Sequence, residues 1–174
     1  MNETDKNVDV YSQKSSLEDY RQKQLSLDYL DRKIIFECIK DGRSSYHKIG
    51  FSLGISPSTV MKRVKRLESI GVIKGYTAIL DHSKLGYDLT VVTEITVSKG
   101  KLLEMEREIA KLSGVCAVYD VTGDTDGIVI AKFRSREELS SFTKGLLAMP
   151  FVERTNTHVV LTTVKEDFRL PSKL

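Results

Sequence analysis

The sequence holds two cysteines and three histidines in 174 residues. Cys38 and Cys116 lie far apart in apolar surroundings, which reads as two buried thiols of a reducing compartment rather than a disulfide. His47, His82 and His158 fall in separate elements without ligand spacing, so no metal site is expected. No nucleophile elbow, phosphate loop or Cys-His arrangement occurs, and nothing here reads as an enzyme or calls for a cofactor. No run approaches the ~18 apolar residues of a membrane span, and the N-terminus lacks an apolar leader core. The expectation is a soluble, cytoplasmic protein with no membrane partner.

Positive charge is present, and it is concentrated. The chain carries 27 Lys/Arg against 24 Asp/Glu, a net charge of +3. Residues 28–80 hold ten basic against five acidic side chains, whereas residues 81–174 hold thirteen against fourteen. A basic patch confined to about fifty residues favours a polyanionic partner.

The texture changes along the chain. Residues 1–26 form a polar extension; its first ten residues read as disordered, and Ser15 with Glu18 reads as a capping box for a short helix. From Asp28 to Lys40, Leu30, Ile34 and Cys38 recur at helical spacing, until Asp41-Gly42 stops the pattern. Ser44 reads as the cap of a second helix whose apolar surface comes from Tyr46, Ile49, Phe51 and Leu53. Gly54 breaks the chain and Ser56-Pro57 opens a third helix, serine as cap and proline at the first turn. Val60, Val64 and Leu67 make one face of that helix, and polar residues the other. Val72 to Leu80 reads as two short strands around Gly75, a small wing.

Beyond a linker at 81–86, residues 87–168 read as strand, helix, strand, strand, helix, strand, followed by a tail at 169–174. The predicted class is α+β: an N-terminal winged helix-turn-helix over 27–80, then a ferredoxin-like βαββαβ domain. One sheet face is taken by the two helices. Val92, Val118, Val129 or Ile128, and Val159 or Val160 are expected on the other, which needs cover from a second copy.

The third helix is the candidate DNA reader. Ser58 and Thr59, near its start, can donate to phosphate or bases, with Ser56 at the cap. Lys62 and Arg66 are expected to project together toward base edges, and Arg63 and Lys65 toward phosphates. In the second domain, Gly123-Asp124-Thr125-Asp126 is a polar turn. Metal binding, Asx-type capping and a part in an effector or assembly site are its possible uses.

Leu27-Asp28-Tyr29-Leu30-Asp31-Arg32-Lys33-Ile34-Ile35, Leu53-Gly54-Ile55-Ser56, Arg63-Val64, Leu67-Glu68 and Gly71-Val72-Ile73-Lys74-Gly75-Tyr76 follow one another at the spacing of the Lrp/AsnC family. Val121-Thr122-Gly123-Asp124-Thr125-Asp126 resembles that family's glycine-aspartate-aromatic-aspartate turn, with Thr125 in the aromatic's place. The stretch from Val152 to Thr157 matches its last strand. This resemblance to the leucine-responsive, or feast/famine, regulators implies double-stranded DNA as partner, a homodimer that can build to an octamer, and an amino-acid effector. It places that effector near Val121, Gly123, Asp124, Thr125, Asp126, Thr155 and Thr157. The rival reading is an architectural, chromatin-like DNA binder without strong sequence choice.

Overall fold

The computed structural model describes residues 27–98 and 100–169. The short helix expected around Ser15 lies outside them. The chain divides into two compact units, Met1–Ala78 with Asp167–Leu174, and Ile79–Glu166.

Among the described residues the first unit holds three helices: α1 (Tyr29–Lys40), α2 (Tyr46–Leu53) and α3 (Pro57–Ser69). Asp28 caps α1 reciprocally: its carboxylate accepts the Asp31 N–H at 2.8 Å, and Asp31 accepts the Asp28 N–H at 3.2 Å. Ser45, not Ser44, caps α2 by accepting the Lys48 N–H. The Ser44 N–H is already held in the preceding turn by the Asp41 carbonyl. Gly54 ends α2 at φ 68°, a left-handed conformation that side chains with a Cβ resist. Ile55 then donates its N–H back to the Gly50 carbonyl, and α3 departs in a new direction.

Ile34, Ile49, Val60, Val64 and Leu67 are almost wholly buried in this unit's core, with Leu53, Ile55, Val72 and Ile73 packed around them. Phe51, expected to contribute apolar surface, is 93% exposed. It follows the buried Gly50, so the helical period turns its side chain away from the core. The two wing strands expected over Val72–Leu80 do not form. Val72 and Ile73 fold back, both donating to the Leu67 carbonyl, and Tyr76 is tethered by its hydroxyl to Glu68. Residues 74–80 are exposed, leaving no buried face to drive strand pairing.

The second unit has the expected order: β1 (Leu89–Val97), α4 (Leu102–Ile109), β2 (Val115–Asp120), β3 (Gly127–Phe133), α5 (Arg136–Leu147) and β4 (Val152–Val159). The strands form one antiparallel sheet in the order β2-β3-β1-β4. Ser135 caps α5 by accepting the Glu138 N–H, while the Glu138 carboxylate reaches the N–H of Arg134. Val91, Ile95, Val129, Ala131 and Phe133 meet Met105, Ile109, Phe142 and Leu146 in a single apolar layer. Each of the larger side chains contributes ~1.5–3 kcal/mol, against at most ~1 kcal/mol for an exposed ion pair, so this layer holds the unit together.

Register corrects part of the expected second face. Val118 pairs with Val129, and both pack on the helix-covered core. Val159 pairs with Val91 and belongs to the same side. Val92, Ile128 and Ile130 occupy the opposite face.

Candidate nucleic-acid interface and effector turn

α3 has two chemically distinct sides. Val60, Val64 and Leu67 are fully buried, and Ser58, Lys62, Lys65 and Ser69 are exposed opposite them. Among the described residues, no ion pair involves Lys62 or Lys65. At the helix start, Ser56 Oγ accepts the Thr59 N–H at 3.1 Å and lies 2.9 Å from Ser58 Oγ and 2.8 Å from Thr59 Oγ1. Three hydroxyls and the first-turn amides thus converge where the helix dipole is positive, an arrangement that suits a phosphate oxygen.

The arginines behave differently. Arg63 Nη1 donates to Asp28 Oδ2 at 2.6 Å and to Asp31 Oδ1 at 2.8 Å, and Arg66 Nη1 donates to Asp31 Oδ2 at 2.8 Å. Both lie on the flank of α3 that turns toward α1. Arg66 lies one turn beyond Lys62, about 40° round the helix toward α1, and there its Nη1 is held by Asp31. Asp31, 1% exposed, is the hub of this cluster. The Asp31 N–H, then Arg63, holds the Asp28 carboxyl below its usual range, and the carboxylates of Asp28 and then Asp31 raise the Arg63 guanidinium. The sequence did carry a signal for the cluster: two aspartates and two arginines, each pair spaced by three on separate helices.

In the second unit the candidate effector residues gather around the end of β1 only in part. The turn is closed by Val121 N–H donating to the Asp126 carbonyl at 3.2 Å. Gly123 sits at φ 128°, where a Cβ would be strained. Thr125 Oγ1 donates to the Ile95 carbonyl at 2.8 Å, and Asp126 Oδ2 accepts the Val97 N–H at 2.8 Å. Asp124 and Gly123 are exposed. Ile95 faces Gly127 across one ladder and Thr155 across the other, which brings Thr155 toward the turn. Thr157 lies opposite buried Thr93, their hydroxyl oxygens 3.1 Å apart, on the helix-covered side. Close by, burial and then Asp120 raise the Glu106 carboxyl, whose Oε1 is buried without a partner among the described residues.

A winged helix-turn-helix DNA-binding family model matches residues 27–74, and an Lrp/AsnC ligand binding domain model matches residues 90–170. The chain is 51% identical over 146 residues to an uncharacterised HTH-type transcriptional regulator of Pyrococcus horikoshii, covering 84% of this chain and 99% of that protein. It is 35% identical over 154 residues to the leucine-responsive regulatory protein of Salmonella typhimurium, covering 84% and 92%. Among solved structures it resembles a Neisseria meningitidis transcriptional regulator in complex with L-Met. That likeness has TM-score 0.77 and 26% identity, covering 85% of this chain and 98% of that one. LrpC of B. subtilis superposes with TM-score 0.72 at 30% identity, covering 82% and 100%. The chain belongs to the Lrp/AsnC family of transcriptional regulators.

Proposed function

We propose that this regulator binds discrete double-stranded DNA sites by laying α3 in the major groove, as a homodimer whose state responds to an amino acid. The observation that carries the reading is the division of α3 into a buried apolar face and an exposed face of Ser58, Lys62 and Lys65. Lys62 faces the bases, Lys65 and the Ser56–Thr59 hydroxyls face phosphates, and Arg63 and Arg66 orient the helix from its flank. The protein acts by binding rather than by catalysis, in the cytoplasm where its DNA is; no helix among the described residues is long and apolar enough to cross a membrane.

The effector assignment draws on the ligand-binding family match and on the L-Met complex of the Neisseria relative. Backbone amides at Gly123 suit a carboxylate and Asp124 suits an ammonium group. Thr155 bounds the site from β4. Footprinting on the chain's own upstream region, repeated with a panel of amino acids, tests both halves. Protection of discrete stretches at concentrations orders of magnitude below those that coat bulk DNA supports a regulator. Uniform coating would instead establish the architectural reading.

A further inference from the structure

The Asp–Arg cluster between α1 and α3 does more than join two helices. Asp31 is buried, and both of its oxygens are engaged: Oδ1 by Arg63, Oδ2 by Arg66 and by the Asp28 N–H. Asp28, half exposed, holds Arg63 from the other side. Two guanidiniums on the reading helix therefore already own two carboxylate counter-ions. Lys62 and Lys65 carry no such partner among the described residues.

DNA affinity grows with each phosphate neutralised by a cation that displaces condensed counter-ions. An arginine paired within its own domain adds little to that release, because its charge is already balanced. Arginine is also the side chain best shaped to grip any guanine edge, so an untethered one beside the groove raises affinity for many wrong sequences.

We propose that Asp28 and Asp31 are positioning residues that withhold Arg63 and Arg66 from DNA. Base choice is thereby left to the Lys62 face, and non-specific affinity is kept low. The inference rests on the DNA-reading role assigned to α3.

The test is the salt dependence of binding by the full chain, followed by fluorescence anisotropy. Its probes are two duplexes of equal length, one from the chain's own upstream region and one of mixed sequence. Lys65→Ala should lower the slope of log K against log salt by about one. Arg63→Ala should leave the slope at the parent value. Asp28→Asn keeps a good helix cap but takes away one of the two carboxylates that hold Arg63. It should raise the slope by about one, tighten mixed-sequence binding about fivefold at ~0.15 M salt, and narrow the preference for the upstream duplex. Asp31→Asn should do the same more strongly, but it strands arginines beside a buried amide and can unfold the unit, so Asp28→Asn carries the decision. A slope loss in Arg63→Ala equal to that in Lys65→Ala overturns the proposal, as does an Asp28→Asn protein with parental slope and selectivity. If the parent binds neither duplex with a salt-dependent constant, the DNA-reading role fails and this inference fails with it.

Discussion

The Asp126 carboxylate accepts the Val97 backbone N–H at 2.8 Å, tying the turn after β2 to the end of β1. The two aspartates of that turn therefore have different tasks. Asp126→Ala strands a half-buried amide and should cost about 1–3 kcal/mol of stability. Asp124 is exposed, so Asp124→Ala should stay within ~0.5 kcal/mol of the parent while altering the response to an amino acid. Thermal unfolding of each single variant, with calorimetry against amino acids, separates the two. Equal melting points would refute the division of roles.

Lys132 presents a second unsymmetrical pair. Its side chain is 8% exposed, and its ammonium donates to Thr90 Oγ1 at 3.2 Å and lies 2.9 Å from Glu166 Oε2, which is 28% exposed. Glu166→Gln removes the counter-ion and leaves the buried charge, so it should cost about 1–3 kcal/mol, moderated by the water reaching Glu166. Adding Lys132→Met to that variant removes the stranded charge and should recover most of the loss. Urea unfolding of the single and double variants decides. A double variant as unstable as the single one would refute the account.

What the sequence revealed and what it concealed divide along physical lines. Apolar periodicity located the three described helices of the first unit and the βαββαβ order, because burial of a repeating face is written in one dimension. The apolar residues of α2 do not say which of them is buried: two neighbouring helical residues, Gly50 and Phe51, point in different directions, and the smaller one took the buried position. The wing strands failed because β propensity around Gly75 has no buried face to act on. The hydroxyls and lysines of α3 were legible as an outward face. The capture of Arg63 and Arg66 had only the matched spacing of Asp28/Asp31 and Arg63/Arg66 as its signal, since it depends on how α1 docks across α3. In the turn, the spacing Asp124-Thr125-Asp126 could not say which side chain faces solvent and which is spent on β1.

The same cluster predicts an acid sensitivity. The Asp28 carboxyl lies below its ordinary 3.8, held there by the Asp31 N–H and then by Arg63. Asp41 is lowered in the same unit by Lys48 and by the Arg43 N–H. For a carboxyl lowered in the folded state, the unfolded chain binds the proton first. Its stabilisation is complete above the unfolded value and is lost as pH falls through 3.8 toward the folded value. Urea unfolding between about pH 6 and 3 should show stability declining across the acid end, with a shallower decline in Asp28→Asn. An unchanged decline in that variant would remove Asp28 from the cause.

The last prediction concerns assembly. On the sheet face away from α4 and α5, Ala117 pairs with Ile130 and Tyr119 with Ile128, and Val92 lies opposite Ile130 on the next strand. These side chains form an apolar strip across β2, β3 and β1. On β4 the same face turns polar, where Asn156 donates to Glu94 and contacts His158. A one-sided apolar strip on an otherwise helix-covered sheet suits a second copy related by a two-fold axis. Two α3 helices would then meet DNA about 34 Å apart, or a multiple of it, and the site would be a partial palindrome. Ile128→Lys places a charge in the middle of the strip and should shift the protein to monomer in light scattering. Its affinity for a single half-site should be unchanged, because α3 is untouched. Affinity for the full palindrome should fall by about 10²–10⁴, the advantage of linking two modules. A parent that is monomeric at micromolar concentration, or a variant that assembles as the parent does, would show that this strip is not the dimer contact.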